Sequence, residues 1–581
     1  MKNMFTTPDI QLDLSHVQLS IQEENSFFKD GFFTKFTFPF SIDITPKMRA
    51  FLGDHSHINA SEIPTTFEGW FNFEGNMHKA NLQILSVQEN TMQVQIDYGF
   101  DELPEMNLNI SEIPFPEYAS IGQANNQHYR FPTLEYDRFL NADFFDAFSH
   151  RINARNQNGT FLENDYSFSG YDLDTAIAQA KVRNKNYIQP MPYLIYVLEQ
   201  AAKNLGYTLA GDILEDNLLK NQLIYKPMKP YTYNDQQEYD FEVDRSDGAP
   251  EIQTFEMELN PGEYRLNDNK FSTILRAVVI KHVETNEGLS FYTQTGHGFL
   301  RFLVNKQHKN KKYALIVEKS KIDFSHISIK PSKNDYTSDT YNMPSYPLIS
   351  KIDAWDIRSL LPEITLGDLF NSLKTIFSYY VEIKENKLYI NKMRNDTSQA
   401  KDMRHCEVKF PNIVYPQRET MTYIFPQIKG YELPAIVVNQ HGITTKHIAK
   451  KENSSQENET ELKFYTLPYI TPTMQKSIGE DETVLILVKD TNTSYRPSQY
   501  DSRYPKGFHS GDLAEYMKNH NFKLMNNKQI EWSVIDKRAS WKQVKISDVL
   551  FVYNQCLLIK SITKTILNDE FCHIDIVGVV L

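Results

Sequence analysis

One arrangement of residues occurs twice in this chain and limits its fold more than any other feature: an amphipathic helix that runs directly into a short strand. The first copy begins at Met191-Pro-Tyr-Leu-Ile-Tyr-Val-Leu, where Leu194, Leu198, Ala201 and Leu205 fall on one face at helical spacing. Gly206 follows, a residue suited to ending a helix at positive φ, and Tyr207-Thr-Leu reads as the strand. The second copy opens at Thr365, with Asp368 three positions on as a capping-box variant, and its apolar face is Leu366, Leu369, Leu373, Ile376 and Phe377. A hairpin from Tyr380 to Ile390 comes next, turning on Lys384 to Asn386. Two such units between β-rich ends predict a duplicated scaffold and not a single catalytic domain.

A chain of 581 residues is too long for one core, and its length corresponds to roughly four domains. The 33 Tyr and 37 Phe bias it toward strands and interfaces. Lys and Arg number 61 against 74 Asp and Glu, a net charge of -13. A tight nucleic-acid binder needs a basic surface to displace counterions, so this balance argues against stable DNA or RNA binding, while suiting a surface past which DNA slides. Cys406, Cys556 and Cys572 are far apart and form no Cys-x-x-Cys. Cys556 and Cys572 could face each other across a hairpin, but buried thiols outside any disulfide are the better reading. The N-terminus lacks the apolar run of a signal peptide, and no stretch approaches the ~20 residues that span a bilayer. The expectation is a soluble protein without a Sec-type address.

Along the chain, residues 1–130 read as an antiparallel β-domain. Phe36, Phe38 and Phe40 alternate with Thr37 and Pro39, and Met92, Val94, Ile96 and Tyr98 alternate with polar residues after a turn at Gln88 to Thr91. Residues 131–245 are mixed and contain the first helix-strand unit. The acidic stretch Asn234 to Gly248 reads as a linker, and the close-spaced strands at 246–332 read as an inserted β-sandwich-like module. A polar linker leads to the second helix-strand unit at 348–430. Residues 431–581 form a C-terminal β-domain with a mobile loop at 450–460, ending on a hairpin that turns at Asn568-Asp569. The fold class is α+β, β-dominated and multidomain.

Chemistry is sparsely signalled. Asp54-His55-Ser56-His57 places two imidazoles on one side of an extended segment, but spacing supplies no third ligand, and a solvated loop is the plainer reading. Asp101, Glu102 and Glu105, or Glu480, Asp481 and Glu482, could supply a carboxylate pair, although acidic clusters beside Pro or Gly are usually exposed loops. Ser510 has His509 beside it, but neighbours in a strand point apart and cannot form a dyad. No phosphate loop, dinucleotide fingerprint, nucleophile elbow, His-Glu-x-x-His or EF-hand loop is present. Tyr264, Phe291 and Tyr292 could form a sugar-stacking platform, though aromatics at strand spacing are more often core. The sequence therefore assigns no catalytic residue, no cofactor-binding residue and no metal ligand, and predicts a protein that is not an enzyme.

The order of these pieces resembles a tailed-bacteriophage baseplate or tail-tip hub. It comprises a β-domain carrying Phe36-Thr-Phe-Pro-Phe40, a helix-strand unit of the form Leu194 to Leu205-Gly-Tyr207, an inserted β-module, a second unit at Thr365 to Ile390 and a C-terminal β-domain. The Phe-rich opening and the Gly-Tyr after the first helix are especially similar to tail proteins of Bacteroidetes phages and prophages. The resemblance implies two tube-like β-barrel domains per subunit and a homotrimer that adapts a six-fold tube to a three-fold tip. It also implies a channel for DNA ejection, a place in the virion after assembly in the host bacterial cytoplasm, and no stable membrane insertion. The implied partners are a tail-tube or distal-tail protein, the tape-measure protein and other baseplate, fibre or spike proteins. The competing reading is a tail-tip glycan-binding or depolymerising protein built on the aromatic module and a carboxylate pair.

Overall fold

The computed structural model describes residues 3–25, 28, 35–52, 64–73, 76–98, 104–121, 126–131, 134–135, 151–155, 161–163, 186–187, 189–217, 219–226, 237–244, 251–268, 275–293, 299–319, 325–331, 352–384, 386–392, 397–416, 420–426, 434–439, 442–446, 459–467, 484–489 and 527–581. Both helix-strand units form as their sequences dictate. The first helix spans Leu194–Asn204; Gly206, at φ 84°, turns the chain out of it, and the strand Thr208–Ala210 follows. The second spans Leu366–Phe377. The Thr365 hydroxyl accepts from the Asp368 backbone N–H at 3.0 Å and the Asp368 carboxylate accepts from the Thr365 N–H at 3.4 Å, a reciprocal cap. Ser378 in the left-handed region ends the helix, and the hairpin Tyr379–Lys384 and Lys387–Lys392 follows.

The two units meet. Thr208–Ala210 lies parallel to the second hairpin strand, with Thr208 opposite Lys387 and Ala210 opposite Tyr389, so one three-stranded sheet serves both. Leu194, Leu198, Ala201, Leu366, Leu369 and Phe377 belong to one buried cluster beneath it. Each helix thereby buries an apolar stripe that it could not bury alone.

Among the described residues, a 14-stranded sheet dominates the rest. Its main path runs, in spatial order, through Gln11–Asp13, Met4–Thr6, Thr66–Phe73, Asn76–Gln88, Thr91–Asp97, Lys35–Thr37, Ser20–Glu24, Gln555–Ile566, Phe571–Val580, Gln529–Lys537 and Asn412–Val414. Ser20–Glu24 pairs antiparallel with Gln555–Ile566, Gln22 facing Thr563, and so joins the two ends of the chain into one sheet. Phe5, Ile21, Phe71, Leu82, Val94 and Ile96 form the core on the N-terminal side, and Trp532, Trp541, Leu557, Ile559, Ile574 and Ile576 that on the C-terminal side. Gly69 is fixed by close approach, since a Cβ there would lie 2.6 Å from the Thr6 carbonyl oxygen and 2.7 Å from the Phe5 ring.

Two expectations require correction. The structure is β-dominated, but among the described residues none of its sheets closes into a barrel, so the two-barrel architecture is not met. The long sheet ends instead in two three-residue strands, Gln11–Asp13 and Asn412–Val414, that do not pair with each other. The alternation of Phe36, Phe38 and Phe40 is also broken. Pro39 interrupts the ladder between Lys35–Thr37 and Phe40–Asp43, so Thr37 is buried with its hydroxyl accepting from the Ile96 N–H at 2.8 Å, while Phe38 is exposed.

The described residues of the inserted module form a sandwich of two four-stranded sheets. One comprises Tyr239–Val243, Ser325–Pro331, Gly262–Asp268 and Phe299–Val304; the other comprises Glu251–Glu258, Lys312–Lys319, Leu275–His282 and Gly288–Thr293. The acidic stretch read as a linker thus supplies a strand, Tyr239–Val243, whose Val243 enters the sandwich core. At its base Lys306–Gln307 runs parallel to Ala354–Asp356, which pairs with Tyr118–Ser120 of the body. Here the buried imidazoles of His282 and His308 stack with ring centres 3.7 Å apart. His282 Nε2 lies 2.6 Å from the Asn310 carbonyl and His308 Nδ1 lies 2.8 Å from the Tyr118 hydroxyl.

Candidate assembly surface

The feature that chemistry-first reading of the sequence misses is the free end of the long sheet at Asn412–Val414. This strand pairs with Gln529–Lys537, Ile413 opposite Ile530, and among the described residues no strand covers its other side. Its flanks are Phe410-Pro411 and Tyr415-Pro416. Proline donates no ladder hydrogen bond, so the two prolines restrict open-ended strand addition and leave recognition to side chains. Those side chains are prominent: Phe410 is 83% and Tyr415 76% exposed, and Ile535 on the neighbouring strand is 63% exposed. Exposed apolar groups beside an unpaired sheet edge make this end a candidate interaction surface.

The segment leading into this edge is held firmly. The Val408 backbone N–H donates to the Tyr553 hydroxyl at 2.9 Å, and Tyr553 donates its own N–H to the Glu407 carboxylate at 2.7 Å. The Arg404 guanidinium pairs with Asp402 at 2.6 Å and lies over the Phe551 ring, 5.4 Å from its centre. Lys409 places its ammonium 5.2 Å from the centre of the Phe410 ring, and Asn412 donates to Glu531 at 2.8 Å. Ordering this segment before binding lowers the entropy lost on association. The opposite end of the sheet carries its own exposed apolar groups, Trp70 on the second strand in from Gln11–Asp13 and Met77 on the third.

Asp54 to His57, Asp101, Glu102, Glu480 to Glu482, His509 and Ser510 lie outside the described residues, as do the loop 450–458 and the side chain of Glu105. Tyr264 is buried in the sandwich core, stacked on Phe302 with centres 5.4 Å apart and its hydroxyl donating to the Asn260 carbonyl at 2.8 Å. It is therefore no part of a sugar platform; Phe291 and Tyr292 lie on Gly288–Thr293 with their side chains outside the described residues. None of the three cysteines is disulfide-bonded, and Cys406 and Cys572 are buried. Cys572 faces Ile566 across its hairpin and not Cys556. Phe410 and Tyr415 were findable from the paired Pro positions, although no spacing rule separates such an edge from an ordinary loop.

No protein-family model matches the chain, and no curated protein matches it. Among solved structures it is similar to the 43 kDa tail protein of prophage MuSo2 from Shewanella oneidensis, with 7% identity, a TM-score of 0.31 and coverage of 100% of this chain and 98% of that one. It is also similar to the tail protein from Neisseria meningitidis MC58, with 9% identity, a TM-score of 0.20 and coverage of 56% of this chain and 96% of that one. Among the described residues, no helix is long and apolar enough to cross a membrane.

Proposed function

We propose that this chain is a structural protein of a phage tail, the baseplate or tail-tip hub, and that it works by assembly and not by catalysis. The observation that supports assembly is the long open sheet whose two ends differ in sequence and each stand beside exposed apolar side chains, while the order of elements along the chain supports the hub. Contacts between unlike surfaces are heterologous, and a heterologous contact closes into a ring when its rotation permits. The order of elements described above suits a homotrimeric ring that closes the distal tail tube, contacts the tube and tape-measure proteins, and leaves a channel for DNA. A net charge of -13 suits a lumen that DNA traverses without binding.

Negative-stain electron microscopy of the purified full chain tests the reading. Three-fold rings with a central opening are the expected particles. Dispersed single subunits at all concentrations, or open filaments, would overturn the ring and with it the hub.

A further inference from the structure

Three ligand atoms of different chemistry converge beside the assembly edge. His405 and Cys406 sit on the short helical turn Arg404–Cys406, and Asp536 lies 130 residues later on the strand Gln529–Lys537. His405 Nε2 lies 3.3 Å from Asp536 Oδ2, Cys406 Sγ lies 3.3 Å from the same oxygen, and all three atoms fall within 4.8 Å of one another. Neighbouring ligands around a tetrahedral zinc ion stand roughly 3.3–3.8 Å apart, given metal-ligand distances near 2.0–2.3 Å. The cluster therefore needs a contraction of about 1 Å or less in its longest pair, within reach of the half-exposed His405 side chain.

The surroundings suit a built site. Asp536 occupies a core-facing position of its strand, opposite Cys572, where a carboxylate needs partners to stay ionised. It has them: the Trp541 indole N–H donates to Oδ2 at 2.9 Å and the Lys537 backbone N–H to Oδ1 at 2.7 Å, which fixes the carboxylate orientation. Cys406 is buried and His405 is on the solvent side, so one coordination position opens outward. Without a metal the Cys406 thiol donates its hydrogen to Asp536, and burial together with that carboxylate pushes it up to about 12.

We infer that His405, Cys406 and Asp536 form a binding site for a divalent transition cation of the zinc class, with the fourth position open to solvent. Imidazole nitrogen, thiolate sulfur and carboxylate oxygen are the donor types this borderline-soft ion accepts. Binding releases the Cys406 proton to solvent, leaving a thiolate on the metal. It also pins the turn from which the segment bearing Phe410 departs.

Cobalt(II) is the probe. The reduced full chain, freed of metal by chelation, is titrated with Co(II) while absorbance and tryptophan fluorescence are recorded. One ion per chain, a thiolate-to-cobalt charge-transfer band and its loss on adding Zn(II) are expected. His405→Ala, a surface change that leaves the fold intact, should weaken binding by about tenfold or more, and Cys406→Ser should abolish the charge-transfer band. Cys556→Ser should change neither. No charge-transfer band in the unmodified chain, an unaltered affinity in His405→Ala, or a band that persists in Cys406→Ser and vanishes in Cys556→Ser would each overturn the assignment.

Discussion

Replacing Glu23 by Gln should destabilise the junction between the two ends of the chain. Glu23 lies on Ser20–Glu24, the strand that bridges the N-terminal and C-terminal strands of the long sheet, and is buried. Burial alone would raise its carboxyl, but Lys35 and Lys564, each 3.4 Å away, reverse that and hold it at about 2 against an ordinary 4.5. A depressed carboxyl stabilises the fold above its unfolded value, and this contribution is lost as pH falls from about 4.5 toward about 2. The difference corresponds to about 3 kcal/mol at pH 7. Glu23→Gln forfeits it and leaves two ammonium groups without their shared carboxylate, so the expected loss is roughly 2–4 kcal/mol. Urea unfolding followed by tryptophan fluorescence at pH 7 and pH 3.5 measures it. The deficit of the variant should shrink by roughly 1 kcal/mol at the lower pH, because the parent protein has by then lost part of its own advantage. A loss below about 0.5 kcal/mol at pH 7, or a deficit that grows on acidification, would refute the reasoning.

Three other outcomes follow from specific contacts. Gly69→Ala drives a methyl group into the Thr6 carbonyl and the Phe5 ring, and should cost about 1–3 kcal/mol by urea unfolding, with faster amide exchange in Met4–Thr6. Thr365→Ala removes one arm of the reciprocal cap on the second helix and should cost about 1 kcal/mol in the same assay. Burial, then the facing His282, lowers His308 to about 4 from 6.5 in a setting that also includes Asp356, Glu287, Lys306 and the Tyr118 hydroxyl. The folded protein then binds fewer protons than the unfolded chain, so stability falls as pH drops from about 6.5 toward about 4, by about 2 kcal/mol between pH 7 and pH 5. His308→Gln, which keeps a partner for Tyr118, should flatten that part of the pH profile.

Local rules were legible where one periodicity or one cap decides the outcome. Leu194 to Ala201, Thr365 with Asp368, Gly206, and the hairpin turns near Glu89 and Asn568 all have local causes, and each is where its sequence places it. Relations across the chain were not. Nothing in Thr208–Ala210 announces that it adds to a hairpin some 180 residues later, because strand pairing partners are chosen by the whole core. Pro39 is visible in sequence, but the one-residue register slip between Phe36 opposite Asp97 and Phe40 opposite Val94, which breaks the alternation, belongs to the paired strands. Cys406 reads in sequence as a buried thiol, and nothing near it points to Asp536, 130 residues on; only the fold brings the two to 3.3 Å. The assembly edge was half legible, since Pro411 and Pro416 frame it, whereas the exposure of Phe410 and Tyr415 depends on which strands remain unpaired.

Light scattering on the full chain, alone and as the Phe410→Ser/Tyr415→Ser variant, tests assembly through the sheet edges most directly. The unmodified chain should give a mass of about 203 kDa, three times the 67.8 kDa of one subunit, and the variant, altered only at exposed side chains, should fall toward 67.8 kDa with its fold retained. A 67.8 kDa particle for the unmodified chain at every concentration, or a trimer indifferent to both substitutions, would contradict it.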